Sequence, residues 1–206
     1  MLRNFALESF AVKQVKNDPF ATFGDWLAEA ETSEPNDPNA MILATATPEG
    51  KPSARTLLLK AWDHQGFVFY TNLESRKSLE LKQNPRAALL FYWKTLHRQV
   101  RIEGAISQVS DAQADEYYAS RPRGSRIGAW ASAQSKPLPD RETFEARFKE
   151  FEAKFPGDAI PRPPNWSGWR VTPNYFEFWQ DIKYRLHERT TYTLTEGHWL
   201  SGMLYP

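Results

Sequence analysis

Between Ala40 and Asn72 short apolar runs alternate with tight turns: "AMILATAT", "PEGK", "PSARTLLLKAW", "DHQG" and "FVFYTN" follow one another without a break. Pro, Gly and Asp at the interruptions leave no room for an ordinary helix, so the stretch predicts three antiparallel strands in succession. The pattern recurs. "AALLFYWK" and "QVRIEGAISQV" flank a turn at "TLHR", and the tail "GWRVTPNYFEFWQDIKYRLHERTTYTLTEGHWL" returns to strands, with "TEGH" as its last turn. Helices fall between these groups. "NDPFATFGDWLAEA" offers Asp18 as N-cap, Pro19 at the first helical position, and Phe20, Phe23, Trp26 and Leu27 at helical spacing. "ESRKSLELKQN" predicts a short helix capped near Ser75 and "SDAQADEYYASRP" one capped by Ser110, while "DRETFEARFKEFEAKF" sets Phe144, Phe148, Phe151 and Phe155 on one stripe. The proline cluster "PGDAIPRPPNW" is a rigid connector. Strand groups with helices inserted between them predict an α+β domain built on an antiparallel sheet or barrel.

Several function classes drop out. The 206 residues show no shift in composition, which predicts one domain over 1–206 with a flexible N-terminal segment at 1–17. Lys and Arg total 26 against 25 for Asp and Glu, a net charge of +1, so no global field attracts nucleic acid or an acidic membrane and any anion site is local. Cysteine is absent, which removes disulfides, thiolate metal sites and cysteine nucleophiles and fits a reducing cytoplasm. The longest apolar run, "AMILATA", is far below the roughly 20 residues that span a bilayer, and the N-terminus lacks a signal-type apolar region. A soluble, unsecreted protein is expected. There is no G-x-G-x-x-G after a strand, no P-loop and no G-x-S-x-G. His64, His97, His187 and His198 are scattered rather than grouped at metal-ligand spacing. Aromatic residues reach 14%, which suits a ring-shaped ligand as well as a packed core or subunit interface.

What remains is a set of short basic segments at strand ends and helix starts. In "YTNLESRKS", Arg76 and Lys77 occupy the first turn of a helix, where the dipole disfavours cations; an anion such as phosphate between them makes sense of the placement, against the alternative of two solvated cations. In "SARTLLLKA", Arg55 and Lys60 are separated by an odd number, so on a regular strand they face opposite ways. "YYASRPRGSRIGAW" gathers Tyr117, Arg121, Arg123, Ser125 and Arg126, donors that suit a small phosphate dianion, although a solvated basic loop is an equal reading. "ASAQSKP" adds the neutral groups of Gln134 and Ser135. Finally, "FWQDIKYRLHERTTY" carries Arg185, His187 and Arg189 at alternate positions, which on a strand would line one face. Two candidate phosphate sites beside an Arg-His-Arg face suggest a phosphorylated cofactor next to a phosphorylated substrate, without naming either.

The ordered set "RTLLLK", "FYTNLESRK", "RQVRIEG", "SRPRGSRIGAW", "QSKPL", "PRPPNWSGWRV" and "EFWQ" with "RLHER" resembles the pyridoxamine 5′-phosphate oxidase family from about Asp18 to the C-terminus. The resemblance implies an FMN-binding split β-barrel with surrounding helices, working as a homodimer with FMN at each of two sites where the subunits meet. It implies an oxidase that converts pyridoxine 5′-phosphate or pyridoxamine 5′-phosphate to pyridoxal 5′-phosphate, passing electrons through FMN to O2. Carried over by motif, the FMN contacts are Arg55, Thr56, Leu57, Leu58, Leu59, Lys60, Tyr70, Thr71, Arg76, Lys77, Gln99, Gln134, Ser135, Trp179 and Arg189. The substrate phosphate falls to Lys60, Tyr117, Arg121 and Ser125, and the pyridine end to Arg185 and His187, the two residues nearest the chemistry.

The chain departs from the family pattern in places. Glu188 stands where "RLHDR" is usual, Asp181 where Gly is common after "EFWQ", Thr190 and Thr191 where a larger apolar residue often follows, and Met203 where Arg is frequent. Of the substrate-covering N-terminal segment only Arg3 and Phe5 persist. Two other readings have discriminators. A sister oxidase of the phenazine-pathway type has no reason to keep the set Lys60, Tyr117, Arg121 and Ser125, and a non-catalytic flavin- or pyridoxal-phosphate-binding protein has none to keep Arg185 with His187.

Overall fold

The computed structural model describes residues 18–206; Arg3, Phe5 and the expected flexible segment lie outside them. Helix α1 (Pro19–Ser33) starts as its sequence predicts, with the Asp18 carboxylate accepting a hydrogen bond from Phe20 N at 2.9 Å. Among the described residues nine antiparallel strands form one sheet: β1 (Ala40–Ala46), β2 (Pro52–Leu58), β3 (Ala61–Asp63), β4 (Gly66–Asn72), β5 (Arg86–Trp93), β6 (Arg98–Gln108), β7 (Trp166–Gln180), β8 (Glu188–Thr195) and β9 (His198–Met203). Their order is β2-β1-β5-β6-β7-β4-β3, and β8 joins β7 to β9. Strand β7 carries the split: from Trp169 to Gln180 it pairs with β6, while its first residues, Trp166 to Val171, pair with β4 and its last, Tyr175 to Gln180, with β8. The register shifts at Glu103/Gly104, where an added Cβ would come within 2.1 Å of the Thr172 carbonyl, so only glycine passes the bend.

The expected run of three successive strands is corrected in one respect. β1 and β2 make a hairpin, but β3 and β4 stand at the far end of the sheet, beside β7. The strand ends at Leu58, Leu59 turns into the core, and Lys60 N bonds to Val68 O at 2.9 Å, which carries the chain across. Pairing parity then sorts the two faces. On the concave face a continuous row of cross-strand partners runs Leu43, Leu89, Ile102, Phe176, Tyr192, every one buried. α1 fills this hollow: Phe23 is fully buried, edge-on to Phe67 and Phe91 with centroids 4.9 and 5.1 Å away. On the opposite face the row Tyr92, Gln99, Trp179, Arg189 is only partly covered.

Four more helices flank the sheet: α2 (Arg76–Gln83), α3 (Asp111–Ser120), α4 (Arg123–Ala131) and α5 (Arg141–Lys154). Ser110 caps α3 through Gln113 N, but Ser75 does not cap α2; its hydroxyl donates to Asn72 O instead. The basic segment around Ser125 is a helix, not a loop. Pro122 sits at its N-cap and Ile127 with Ala131 gives it a buried side, which outweighs Gly124 and Gly128. The phenylalanine stripe of α5 forms as expected yet buries no residue fully; Phe151 and Phe155 pack on Trp130 of α4, 5.7 and 5.4 Å between centroids. Among the described residues no helix is long and apolar enough to cross a membrane.

Candidate functional site

The strand–helix junction at β4 and α2 places a cation where water is scarce. Lys77 is buried, and its Nζ bonds only to neutral oxygens: Thr71 Oγ1 at 3.2 Å, Ser75 Oγ at 3.1 Å and Gln134 Oε1 at 3.1 Å. Burial, helped by Arg55, pulls this ammonium down to about 8. Arg76 follows another course. Its Nε pairs with Glu80 one turn on at 2.8 Å, and Arg55 reaches the same carboxyl group at 3.4 Å. Burial raises the Glu80 carboxyl, but hydrogen bonds from Ser53, Thr45 and Arg76 outweigh it and hold the group at about 2. The anion expected between the basic side chains therefore has an internal member, Glu80, and Lys77 is the cation left without a charged partner among these contacts. An Arg at i and a Glu at i+4 is a readable signal for that pair.

Beside Lys77 opens a cleft of about 360 Å³ lined by Leu57, Tyr70, Thr71, Arg121, Ser125, Gln134 and Trp166, among others. Its floor is aromatic: Tyr70 stacks on Tyr117 at 4.0 Å and on Trp166 at 5.4 Å. Gly168 makes this possible, since a Cβ there would strike the Tyr70 ring at 2.8 Å. The Arg121 guanidinium lies 4.8 Å over the Trp166 ring, its Nη1 buried with no hydrogen-bond partner, and burial lowers its pKa. Trp166 was not among the residues singled out in the sequence; its position at the start of β7 gave no sign that it carries Arg121.

The remaining residues lie elsewhere. Gln99, Trp179 and Arg189 are side by side across β6, β7 and β8 on the outer face. Arg189 Nε bonds to the buried Glu177 at 2.7 Å. The alternation expected over Arg185, His187 and Arg189 is corrected: β8 begins at Glu188, and Arg185 closes a 3₁₀ turn over Lys183–Arg185. Tyr184 and Arg185 both have φ of 62°, a left-handed pair of non-glycine residues that ends the strand parity and costs on the order of 1–3 kcal/mol each. Arg185 and His187 line a second cavity, of about 330 Å³, with Leu96, His97, Asp181 and Tyr184, and it shares no residue with the first. The imidazole of His187 lies 4.9 Å from the Trp179 ring. Lys60 is exposed at the step between β2 and β3 and does not line the cleft of this chain. Thr56 faces out on β2, Leu58 is half-buried, Leu59 belongs to the core, and Ser135, with φ of 70°, lies on the exposed loop after α4.

A curled antiparallel sheet with helices on its flanks and a basic, aromatic cleft at one end defines an α+β protein of the split-barrel class. A solved structure of PhzG from Burkholderia lata, in complex with tetrahydrophenazine-1-carboxylic acid, shares this architecture with a TM-score of 0.88 at 34% identity, over 93% of this chain and 94% of that one. The family is narrower. Residues 27–155 match the family model "Pyridoxamine 5′-phosphate oxidase", and residues 166–206 match "Pyridoxine 5′-phosphate oxidase C-terminal dimerisation region". Proteins named pyridoxine/pyridoxamine 5′-phosphate oxidase from Sphingopyxis alaskensis and Gluconobacter oxydans are each 60% identical, over 94% and 93% of this chain and 89% and 96% of theirs. The chain belongs to the pyridoxamine 5′-phosphate oxidase family, and its last 41 residues by that match, 166–206, support a homodimer.

Proposed function

We propose that the protein is an FMN-dependent oxidase of pyridoxine 5′-phosphate and pyridoxamine 5′-phosphate. The alcohol and O2 give pyridoxal 5′-phosphate and H2O2; the amine, O2 and water give the same aldehyde, H2O2 and ammonia. The observation that carries this reading is the cleft with an aromatic floor, lined by half-buried Arg121 and bordered by buried Lys77, neither of which has an anionic partner among the described contacts. A desolvated cation without a counter-ion is costly, so the pair fits two ligands that each bring one phosphate group. Lys77 with Thr71, Gln134 and the Glu80-braced Arg55 and Arg76 would hold the FMN phosphate. Arg121 with Ser125 and Tyr117 would hold that of the substrate.

Bound there, FMN supplies a two-electron acceptor that is reoxidised by dioxygen. The chain's own residues bind and orient. Trp179, Gln99 and Arg189 would meet the flavin ring system, and Arg185 and His187 the pyridine end of the substrate, fixing its reactive carbon and offering sites for proton movement. Because Arg185 and His187 line a cavity apart from the phosphate cleft, and Gln99, Trp179 and Arg189 lie on the outer face of the sheet, one site needs both halves brought together. A two-fold pairing of two copies does this, and it would also cover Ile42 and Tyr92 on the outer face and Leu200 and Met203 on β9, all exposed. The test is direct: purify the protein, measure bound FMN, add either substrate aerobically and follow aldehyde and peroxide. A flavin-loaded protein that makes neither product would overturn the reading.

A further inference from the structure

The loop that carries Arg185 and His187 contains a contact on which the proposed function does not draw. Asp181 Oδ1 lies 2.8 Å from His187 Nδ1, and the backbone N–H of Ile182 lies 3.3 Å from the same nitrogen. One ring nitrogen cannot serve both partners at once. With a proton on Nδ1 it donates to the carboxylate; without one it accepts from Ile182 N–H but sets its lone pair against a carboxylate oxygen at 2.8 Å. The shorter, charge-assisted contact selects the first arrangement. In the neutral imidazole Nε2 is then the unprotonated nitrogen, an acceptor on a side chain that lines the cavity.

Asp181 is itself held in place. Its backbone N–H donates to His97 O at 2.9 Å, which ties it to the left-handed end of the β5–β6 turn, where φ of His97 is 53°. Thr95 of that turn is in turn fixed by Glu34 at the C-terminal end of α1, 2.8 Å from its N–H. A chain of hydrogen bonds thus runs from α1 through the hairpin to His187. Lys183 and Arg185 line the same cavity as His187, and Asp181 is the carboxylate among its lining residues.

We infer that Asp181 is a positioning residue for His187: it accepts a hydrogen bond from Nδ1–H and thereby fixes the ring so that Nε2 faces the substrate as a proton acceptor. The inference rests on the role proposed above for His187, and two kinds of measurement keep them apart. In the flavin-loaded full chain, long-range ¹H–¹⁵N correlation spectra report which ring nitrogen carries the proton, independently of turnover. Wild type is expected to carry it on Nδ1, and Asp181→Ala to move it to Nε2, because Ile182 N–H then becomes the partner of Nδ1. In turnover of pyridoxine 5′-phosphate, Asp181→Ala should lose about ten-fold or more in kcat with flavin content unchanged, by the scale on which such orienting partners act. In a His187→Asn background the same substitution should change nothing further.

A wild-type His187 with its proton on Nε2 would overturn the inference, as would equal losses from Asp181→Ala with and without His187. Full turnover by His187→Asn would overturn the role of His187 itself, and the function of Asp181 with it.

Discussion

The two halves of the candidate site are built in opposite ways. The phosphate half sits on regular elements: Thr71 on β4 and Lys77 in the first turn of α2, both buried, and half-buried Arg121 at the junction of α3 and α4, stacked on Trp166. The ring half sits at a strand end and on an irregular loop, with Arg185 exposed and its backbone left-handed. The contrast matches what each half has to do. Phosphate groups, the cofactor's and the substrate's alike, gain from rigid, desolvated cations. Groups that meet a substrate entering and leaving gain from a loop of lower local stability.

Four substitutions or conditions probe that contrast, the largest effect first. Arg185→Ala should lower turnover by roughly 10²-fold or more while flavin stays bound, since the role proposed for the residue is at the reacting end only. Loss of flavin from this variant, read by absorbance after gel filtration, would mean that the ring half also anchors the cofactor. Arg121→Ala should raise KM by about 10- to 100-fold with a smaller change in kcat, the weight of a charge-assisted pair to phosphate. A kcat loss as large as the KM gain would break the division. Lys77→Met should weaken flavin binding by a similar factor, and by more than Arg76→Ala, because Arg76 has the Glu80 carboxylate as a standing partner and Lys77 has only neutral oxygens.

The smallest effect is a pH dependence with two signs. Burial holds Lys77 at about 8, so the flavin-free protein should bind FMN progressively more weakly above pH 8, by at most about ten-fold per unit. Over the same range, up to the unfolded lysine value near 10.4, the unfolded chain binds more protons than the folded one, so Lys77 makes the flavin-free fold more stable, not less. Weaker binding together with a steady or rising contribution of Lys77 to Tm, taken against Lys77→Met, is the expected pair. Weaker binding with a Tm that falls equally in both proteins would point to general loosening instead.

Much of the fold was legible because turn chemistry and helix caps are local. The Pro-Glu-Gly and Asp-His-Gln-Gly turns and the Asp18-Pro19 helix start all form where expected. What was not legible is long-range. No local residue signals that β4 leaves the β1–β2 hairpin and joins β7, because that choice follows from how the whole sheet closes over Phe23 and its neighbours. The site divides the same way. Arg55, Lys77 and Arg121 were marked out by charge placed against its local surroundings, while Trp166 became meaningful only once the fold set it under Arg121. Alternate spacing of Arg185, His187 and Arg189 misled, since two left-handed residues without glycine carry no sequence signature. Asp181 stood out only as a departure from the family pattern; its partner became clear from the loop geometry.

The central claim is that each site takes its phosphate half from one subunit and its ring half from the other. Co-expressing Arg121→Ala chains with Arg185→Ala chains, assayed at substrate well below the wild-type KM, where each alone is nearly inactive, tests it in one assay. If the halves come from different subunits, each hybrid dimer regains one intact site, and random pairing should restore activity to about a quarter of wild type. If both halves belong to the same subunit, every site keeps one lesion, and the mixture should be no more active than the two variants measured apart.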